Sequence, residues 1–180
     1  RKRQRILWDL PTKSVRIAIY GALAIGLWTG ENYLPTPLPW LRLGIANVAV
    51  VLALDDIGGR GALAVFLLKS IVGSVITGRF LTPFFFFSAF GGGLSLIAMI
   101  LIRILGKKCF SVVGISCVGG VFHNIGQLFF ARFLLIPSDS LWRLLPILTL
   151  IGTGTGVVIG GLARLIQLRL PASVKEKRSS

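Results

Sequence analysis

The sequence predicts an all-α membrane protein with about six transmembrane helices. Of its 180 residues, 54% are hydrophobic and 14% are charged, whereas a soluble domain carries roughly a quarter charged residues. Several apolar stretches approach the roughly 20 residues that cross a bilayer as a helix. These stretches are continuous rather than alternating, which favours helices over a β-barrel.

Six apolar segments make up the predicted bundle. They are residues 15–34, 41–54, 61–77, 83–105, 112–136 and 144–168. The second is short for a full crossing, so it is either tilted or only partly crossing. The predicted organisation is a basic N-terminal arm at 1–14, a six-helix transmembrane domain at 15–168 and a basic tail at 169–180.

The placement of the +14 net charge predicts the topology. Lysine and arginine cluster in the arm, in the loop after the fourth segment and in the tail, and an even number of crossings puts all three on one side. The positive-inside rule makes that side the cytoplasm. We therefore predict a bacterial inner-membrane protein with both termini cytoplasmic. Its basic ends are expected to contact anionic membrane lipids rather than nucleic acid.

The connection between the first two segments is rich in proline, with three prolines at alternate positions from 35 to 39. Such a stretch is extended and stiff. It is either a rigid connector or a loop that covers a pocket on the outer face. In the second case Glu31, Arg42 and Asn47 supply its polar contacts.

The fifth segment carries a polar face formed by His123, Asn124 and Gln127, which are spaced three and four residues apart. Polar side chains in hydrocarbon are costly unless they face protein or a cavity. This face therefore either makes interhelical hydrogen bonds or contacts a substrate. His123 has no nearby partners to complete a metal site, and neither metal nor cofactor is expected.

Two basic residues lie in or after the third segment. Lys69 needs a partner or a wet cavity, and the candidates are Glu31 and an anionic group of a substrate. The alternative is that its side chain snorkels to an interface. Arg79 is expected near the outer face. Together with the polar face of segment five, these groups favour an anionic, partly apolar ligand.

Small residues recur every fourth position on the first segment, at Ala18, Ala22 and Gly26. Such a row lets helices approach closely, either within the bundle or against another membrane protein. Asp55 and Asp56 resemble the start of an aspartate-rich magnesium motif, but its third carboxylate is missing. The pair is more typical of a solvated helix end. Without a complete catalytic motif or a nucleotide-binding loop, the chain is not expected to be an enzyme.

Four stretches carry a resemblance to a known family: residues 34–47, residues 88–95 with Met99, residues 114–116 and residues 123–127. The chain resembles, over roughly residues 15–165, the small membrane proteins called Gx transporters or heptaprenyl diphosphate synthase component I. The wider architecture is similar to the S components of energy-coupling-factor (ECF) vitamin transporters. Those are six-helix substrate-binding subunits that lack their own ATPase.

The resemblance implies two incompatible functions. In the first, the chain captures a vitamin-like, quinone-precursor or isoprenoid-type molecule from the outer face. A transmembrane coupling subunit, docked on Ala18 and Ala22, and cytoplasmic ATPases would then drive uptake. In the second, the chain is a membrane accessory subunit of a heptaprenyl diphosphate synthase. A scaffold for a membrane redox assembly is a third possibility.

Overall fold

A computed structural model describes residues 12–31, 44–106, 109–136 and 138–169. In these ranges the chain is helical and contains no strand, so the all-α prediction is confirmed. The α-helices are α1 (Lys13–Glu31), α2 (Asn47–Ile76), α3 (Pro83–Leu105), α4 (Val112–Phe130) and α5 (Leu145–Arg169). A π-helical turn, Ala131–Leu135, continues α4, and a 3-10 helix, Asp139–Leu144, precedes α5.

Helix α2 folds back on itself at Gly58. The backbone there has φ 78° and ψ −178°, a region that is essentially restricted to glycine. In a straight helix, Asn47 and Lys69 would lie about 33 Å apart at 1.5 Å per residue. Instead, Lys69 Nζ donates a hydrogen bond to Asn47 Oδ1 at 2.7 Å. Residues 47–57 and 59–76 are therefore two arms of a helical hairpin.

The prediction of six separate spanning helices is not supported. By length and composition, 4 helices in the described part of the chain can cross a membrane: Asn47–Ile76, Pro83–Leu105, Val112–Leu135 and Asp139–Arg169. The second and third predicted segments are the two arms of α2. The first arm is about half the length that a bilayer requires. Helix α1 has charged residues at both ends and is not among the four.

The first arm of α2 forms the centre of the bundle. Every residue from Val48 to Leu54 is at most 3% exposed, as expected for a helix that is apolar on all sides. Helix α1 packs mainly against α2, and α4 lies between α3 and α5. A Cβ atom at Gly120 would lie 2.0 Å from the Gly152 carbonyl oxygen. Glycine is therefore required where α4 meets α5.

The outer surface of the bundle is strongly apolar. Large aliphatic and aromatic side chains are exposed along α2, α3, α4 and α5, with Leu105 at 79% and Leu150 at 74%. A soluble monomer rarely exposes apolar patches of this extent. The apolar helices and this surface fit a multi-pass membrane protein.

Asp56 lies in a polar network at one end of the bundle. Its carboxylate accepts hydrogen bonds from Arg16 at 3.2 Å and from the Tyr20 hydroxyl at 3.1 Å, both on α1. The Asp56 side chain is only 4% exposed. The interpretation of this aspartate as part of a solvated helix end was therefore wrong, because its carboxylate is buried and hydrogen-bonded to α1.

Asp55 joins the same end of the bundle to two further helices. Arg103, near the end of α3, donates to the Asp55 carboxylate at 3.0 Å, and Gln167, near the end of α5, donates to it at 3.0 Å. The start of α1, the turn of α2 and the ends of α3 and α5 therefore lie together. As a result, the described chain begins and ends at one face of the bundle.

Candidate functional site

Lys69 is held in the interior between the two arms of α2. It is 2% exposed, so snorkelling to an interface is ruled out. Besides the hydrogen bond to Asn47, its ammonium lies 5.4 Å from the ring centroids of Trp28 and Phe66. Aromatic faces attract cations at this distance. The hairpin of α2 and the inner face of α1 thus fix the position of one buried positive charge.

Glu31 provides a buried negative charge at the last residue of α1. It is 5% exposed, and its carboxylate accepts a hydrogen bond from the backbone N–H of Gly44. A buried carboxylate is costly unless it is hydrogen-bonded. The bond ties the end of α1 to the chain just before α2, where Gly44 has φ +73°. Glycine tolerates this conformation readily.

Glu31 and Lys69 line the same small cavity, which we call the lysine chamber. Its volume is about 10 Å³, and its walls are Trp28, Glu31, Gly44, Ala46, Asn47, Lys69, Ser88 and His123. Four of the predicted site residues, Glu31, Asn47, Lys69 and His123, meet here from three different helices. The chamber therefore combines one acidic, one basic and several neutral polar groups.

A second cavity adjoins the lysine chamber and shares Gly44, Asn47 and His123 with it. This hydroxyl chamber has a volume of about 20 Å³ and is otherwise lined by Val51, Ser95, Met99, Ser116, Gly119, Gly120, Asn124, Ile151, Thr155 and Ile159. Three hydroxyl-bearing side chains face an otherwise largely apolar wall. Ligand pockets typically show this combination of side chains, and the chamber as it stands has room for about one water molecule.

The comparison with protein families covers both chambers. The model for "Heptaprenyl diphosphate synthase component I" matches residues 20–166. The chain belongs to this family. No curated protein and no solved structure matches the chain at a significant level. The match spans most of the chain and includes every residue that lines the two chambers.

In this member of the component I family, the polar face of α4 serves two purposes. Asn124 Nδ2 donates to the carbonyl oxygen of Leu148 at 2.7 Å, which links α4 to α5. Asn124 also lines the hydroxyl chamber. Gln127 is hydrogen-bonded to His123, with their Nε2 atoms 3.2 Å apart. Gln127 lines neither chamber. It is connected to the chambers through this hydrogen bond to His123.

Two other predicted site residues are not part of these chambers as described. Arg79 follows α2, and its guanidinium lies 5.4 Å from the ring centroid of Phe84. It lines neither chamber. Arg42 lies outside the described residues. The cationic groups expected around a ligand are therefore represented by Lys69 in the described part of the site.

The small residues of α1 point away from the bundle. Ala18, Ala22 and Gly26 are all exposed, and a Cβ atom at Gly26 would have no neighbour within 4 Å. The buried face of the same helix is formed by Gly21, Ala24, Trp28 and Glu31. Within the described residues, these small side chains therefore do not serve internal packing, and they leave a shallow outward-facing strip on this component I protein.

Proposed function

We propose that this protein is the substrate-binding membrane subunit of an ECF-type uptake transporter. The observation that carries the proposal is the pair of adjoining chambers in the bundle, with Glu31 and Lys69 buried in one and hydroxyl groups in the other. Buried ionisable groups within membrane helices are costly and mark binding sites or pathways. Folding alone would be served as well by apolar side chains there.

The proposal includes a location and an orientation. The chain would lie in a bacterial inner membrane with both termini cytoplasmic, as the distribution of lysine and arginine predicts. The network of Asp55 and Asp56 would then face the cytoplasm. The chambers lie towards the other end of the bundle, beside Glu31, from which a vitamin-like, quinone-precursor or isoprenoid-type molecule would be captured.

The outward strip of α1 is the proposed docking surface for a transmembrane coupling subunit, which cytoplasmic ATPases would drive. Replacing Gly26 with leucine tests this role. A Cβ atom there has no neighbour within 4 Å, and leucine is a better helix former than glycine by roughly 1 kcal/mol. Gly26→Leu should therefore keep the isolated subunit folded but block close approach of a partner helix.

The matched control is Gly154→Leu on α5. Gly154 is also exposed and helical, and a Cβ atom there also has no neighbour within 4 Å. The measurement is co-purification of partner subunits from native membranes with wild type and both variants. Loss of the partner in Gly26→Leu alone supports docking through α1. Equal recovery with both variants removes this strip from the proposal.

The second candidate is a membrane accessory subunit of a prenyl diphosphate synthase, and the description of the matched family favours it. In that role, Asp55 and Asp56 would not bind a metal ion in the arrangement seen here, since both accept hydrogen bonds from arginine. The same co-purification separates the candidates. ATPases among the partners support uptake, whereas a soluble prenyl synthase supports the accessory role and contradicts the transporter proposal.

A further inference from the structure

A long apolar groove lies on the surface of the bundle between α3 and α4, and we call it the phenylalanine groove. Its volume is about 660 Å³, and no described side chain in its wall is polar. The groove would therefore open towards the lipid chains of a membrane rather than towards water. Its wall includes Phe90, Gly93 and Ile97 of α3, and Phe129, Phe130 and Phe133 at the end of α4 and in the π-helical turn.

The groove is long and narrow. Phe90 and Gly126 lie at one level, because a Cβ atom at Gly126 would be 2.8 Å from the Phe90 carbonyl oxygen. From that level the wall reaches Ile97 along α3 and, in the opposite direction, Phe133 beyond α4. At 1.5 Å per residue this is a length of about 20 Å. The mean cross-section is then roughly 30 Å², whereas a helix about 10–12 Å across needs roughly 80 Å² or more.

The walls of the groove are packed aromatic rings. The ring centroids of Phe90 and Phe130 lie 5.2 Å apart, and Phe129 stacks on Phe133 at 5.6 Å. The space in front of Gly93 is open, since a Cβ atom there would have no neighbour within 4 Å. A hydrocarbon chain in the groove is contacted from several sides, so it gains more dispersion contacts than on a flat helix surface.

One end of the groove has an aromatic and basic rim. The Arg132 guanidinium lies 5.6 Å from the ring centroid of Phe133. Trp142 packs edge-on against Phe129, with ring centroids 5.2 Å apart. Tryptophan is enriched at the level of the lipid head groups. The rim therefore marks the end at which a lipid in the groove would place its head group.

The charge of the rim favours an anionic head group. The connection at residues 131–144 contains three charged residues, Arg132, Asp139 and Arg143, and so has a net positive charge. Arg132 donates to Asp139 through Nε and Nη2, which are two of the nitrogens that carry the five N–H donors of a guanidinium. Arginine also matches the geometry of phosphate oxygens.

We propose that the phenylalanine groove is a specific site for an anionic phospholipid, with an acyl chain in the groove and its phosphate beside Arg132. Basic side chains at a membrane surface attract anionic lipids, and the groove adds a place for the chain. The inference does not rest on the proposed transport function, because the groove lies on the outside of the bundle and the chambers lie within it.

The test is native mass spectrometry of the full chain in detergent, titrated with phosphatidylglycerol or with phosphatidylcholine of identical acyl chains. Gly93→Leu places a side chain in the groove at a position where a Cβ atom has no neighbour within 4 Å. The matched control is Gly161→Leu on α5, which is also half-buried and also has no such neighbour. Phe133→Ala removes an exposed ring from the other wall. Melting curves establish that each variant is folded.

Wild type should retain one phosphatidylglycerol at least fivefold more strongly than phosphatidylcholine. Gly93→Leu and Phe133→Ala should each reduce that retention at least tenfold, and Gly161→Leu should leave it unchanged. Arg132→Gln should bring the two lipids to within twofold of each other.

Equal retention of phosphatidylglycerol by wild type and both groove variants overturns the proposal. An unchanged preference in Arg132→Gln overturns the placement of the phosphate. Loss of a partner subunit from native membranes in Gly93→Leu, with lipid retention unchanged, would assign the groove to a partner helix instead.

Discussion

The hydrogen bond between Asn47 and Lys69 is the contact on which both the hairpin and the site depend. Asn47→Leu removes the acceptor and leaves the ammonium buried. A hydrogen bond to a charged group contributes about 1.5–3 kcal/mol, and the 2.7 Å distance with Lys69 at 2% exposure places this bond among the stronger ones. We expect Asn47→Leu to lower the free energy of unfolding by that amount, roughly a tenfold to hundredfold change in the folding equilibrium.

The double variant Asn47→Leu/Lys69→Met separates this contact from general damage. Replacing both partners with apolar groups of similar shape is close to neutral, so most of the lost stability should return. Reversible denaturant unfolding in mixed micelles measures the free energy of unfolding of wild type, both single variants and the double variant. The coupling energy should be at least about 1 kcal/mol, whereas a cycle of Lys69→Met with Gly154→Leu should be additive within about 0.5 kcal/mol. Additivity in the first cycle would refute the reasoning.

Three further predictions concern the turn, the α4–α5 contact and the topology. Gly58→Ala should lower the free energy of unfolding by about 1–3 kcal/mol, because the cost is in the backbone conformation and a Cβ atom there meets no neighbour within 4 Å. Unchanged unfolding curves would mean that the turn has another conformation. Asn124→Ala should cost about 1 kcal/mol through loss of its bond to the Leu148 carbonyl. Gln127→Ala should cost less stability, and the reverse order would contradict the assignment of Asn124 as the link to α5. A reporter inserted near Asp139 should be external and one fused after residue 180 cytoplasmic. An external C-terminal reporter excludes the orientation proposed above.

The apolar helices were predictable because their signals are local. The predicted segment at 83–105 coincides with α3, since Pro83 suits the first turn of a helix and Gly106 follows its end. The sequence also indicated an interruption between 54 and 61, where Gly58 turns the chain. The error lay in treating the two arms of α2 as separate spans. The first arm can be short because it is buried among the other helices. The sequence of that one segment does not show this burial.

The site was predictable in part. Glu31, Asn47, Lys69 and His123 stand out because polar groups in apolar segments need a reason to be there, and all four line one chamber. The hydroxyl chamber was missed because serine and threonine in helices commonly bond to their own backbone. Thr155, for example, also donates to the Gly152 carbonyl. Only the packing of α3, α4 and α5 brings these hydroxyl groups together.

The hydrogen-bond partners of Asp55 and Asp56 could not be predicted from the sequence, again because only the packing of the helices brings them together. Arg16 and Arg103 lie 40 and 48 residues from Asp56 and Asp55, and Gln167 lies 112 residues from Asp55. Sequence spacing predicts contacts within a helix, where neighbours lie three or four residues apart. Contacts between helix ends depend on the topology of the whole bundle, and here the reversal at Gly58 creates them.

Helix α1 connects the proposed docking strip with the chamber. Ala22 and Gly26 face outward, while Trp28 and Glu31 on the opposite side form part of the chamber wall. A partner that shifts α1 therefore shifts a chamber wall and the Glu31 carboxylate in it. If partner binding weakens ligand binding in this way, ligand must weaken partner binding by the same factor, because coupling between two sites is reciprocal. A transporter subunit needs this relation, since it must release its substrate once it engages the coupling subunit. A passive scaffold does not need this coupling. Measuring the affinity for ligand with and without partner, and the affinity for partner with and without ligand, therefore distinguishes a subunit that delivers its ligand from one that merely holds its partners together.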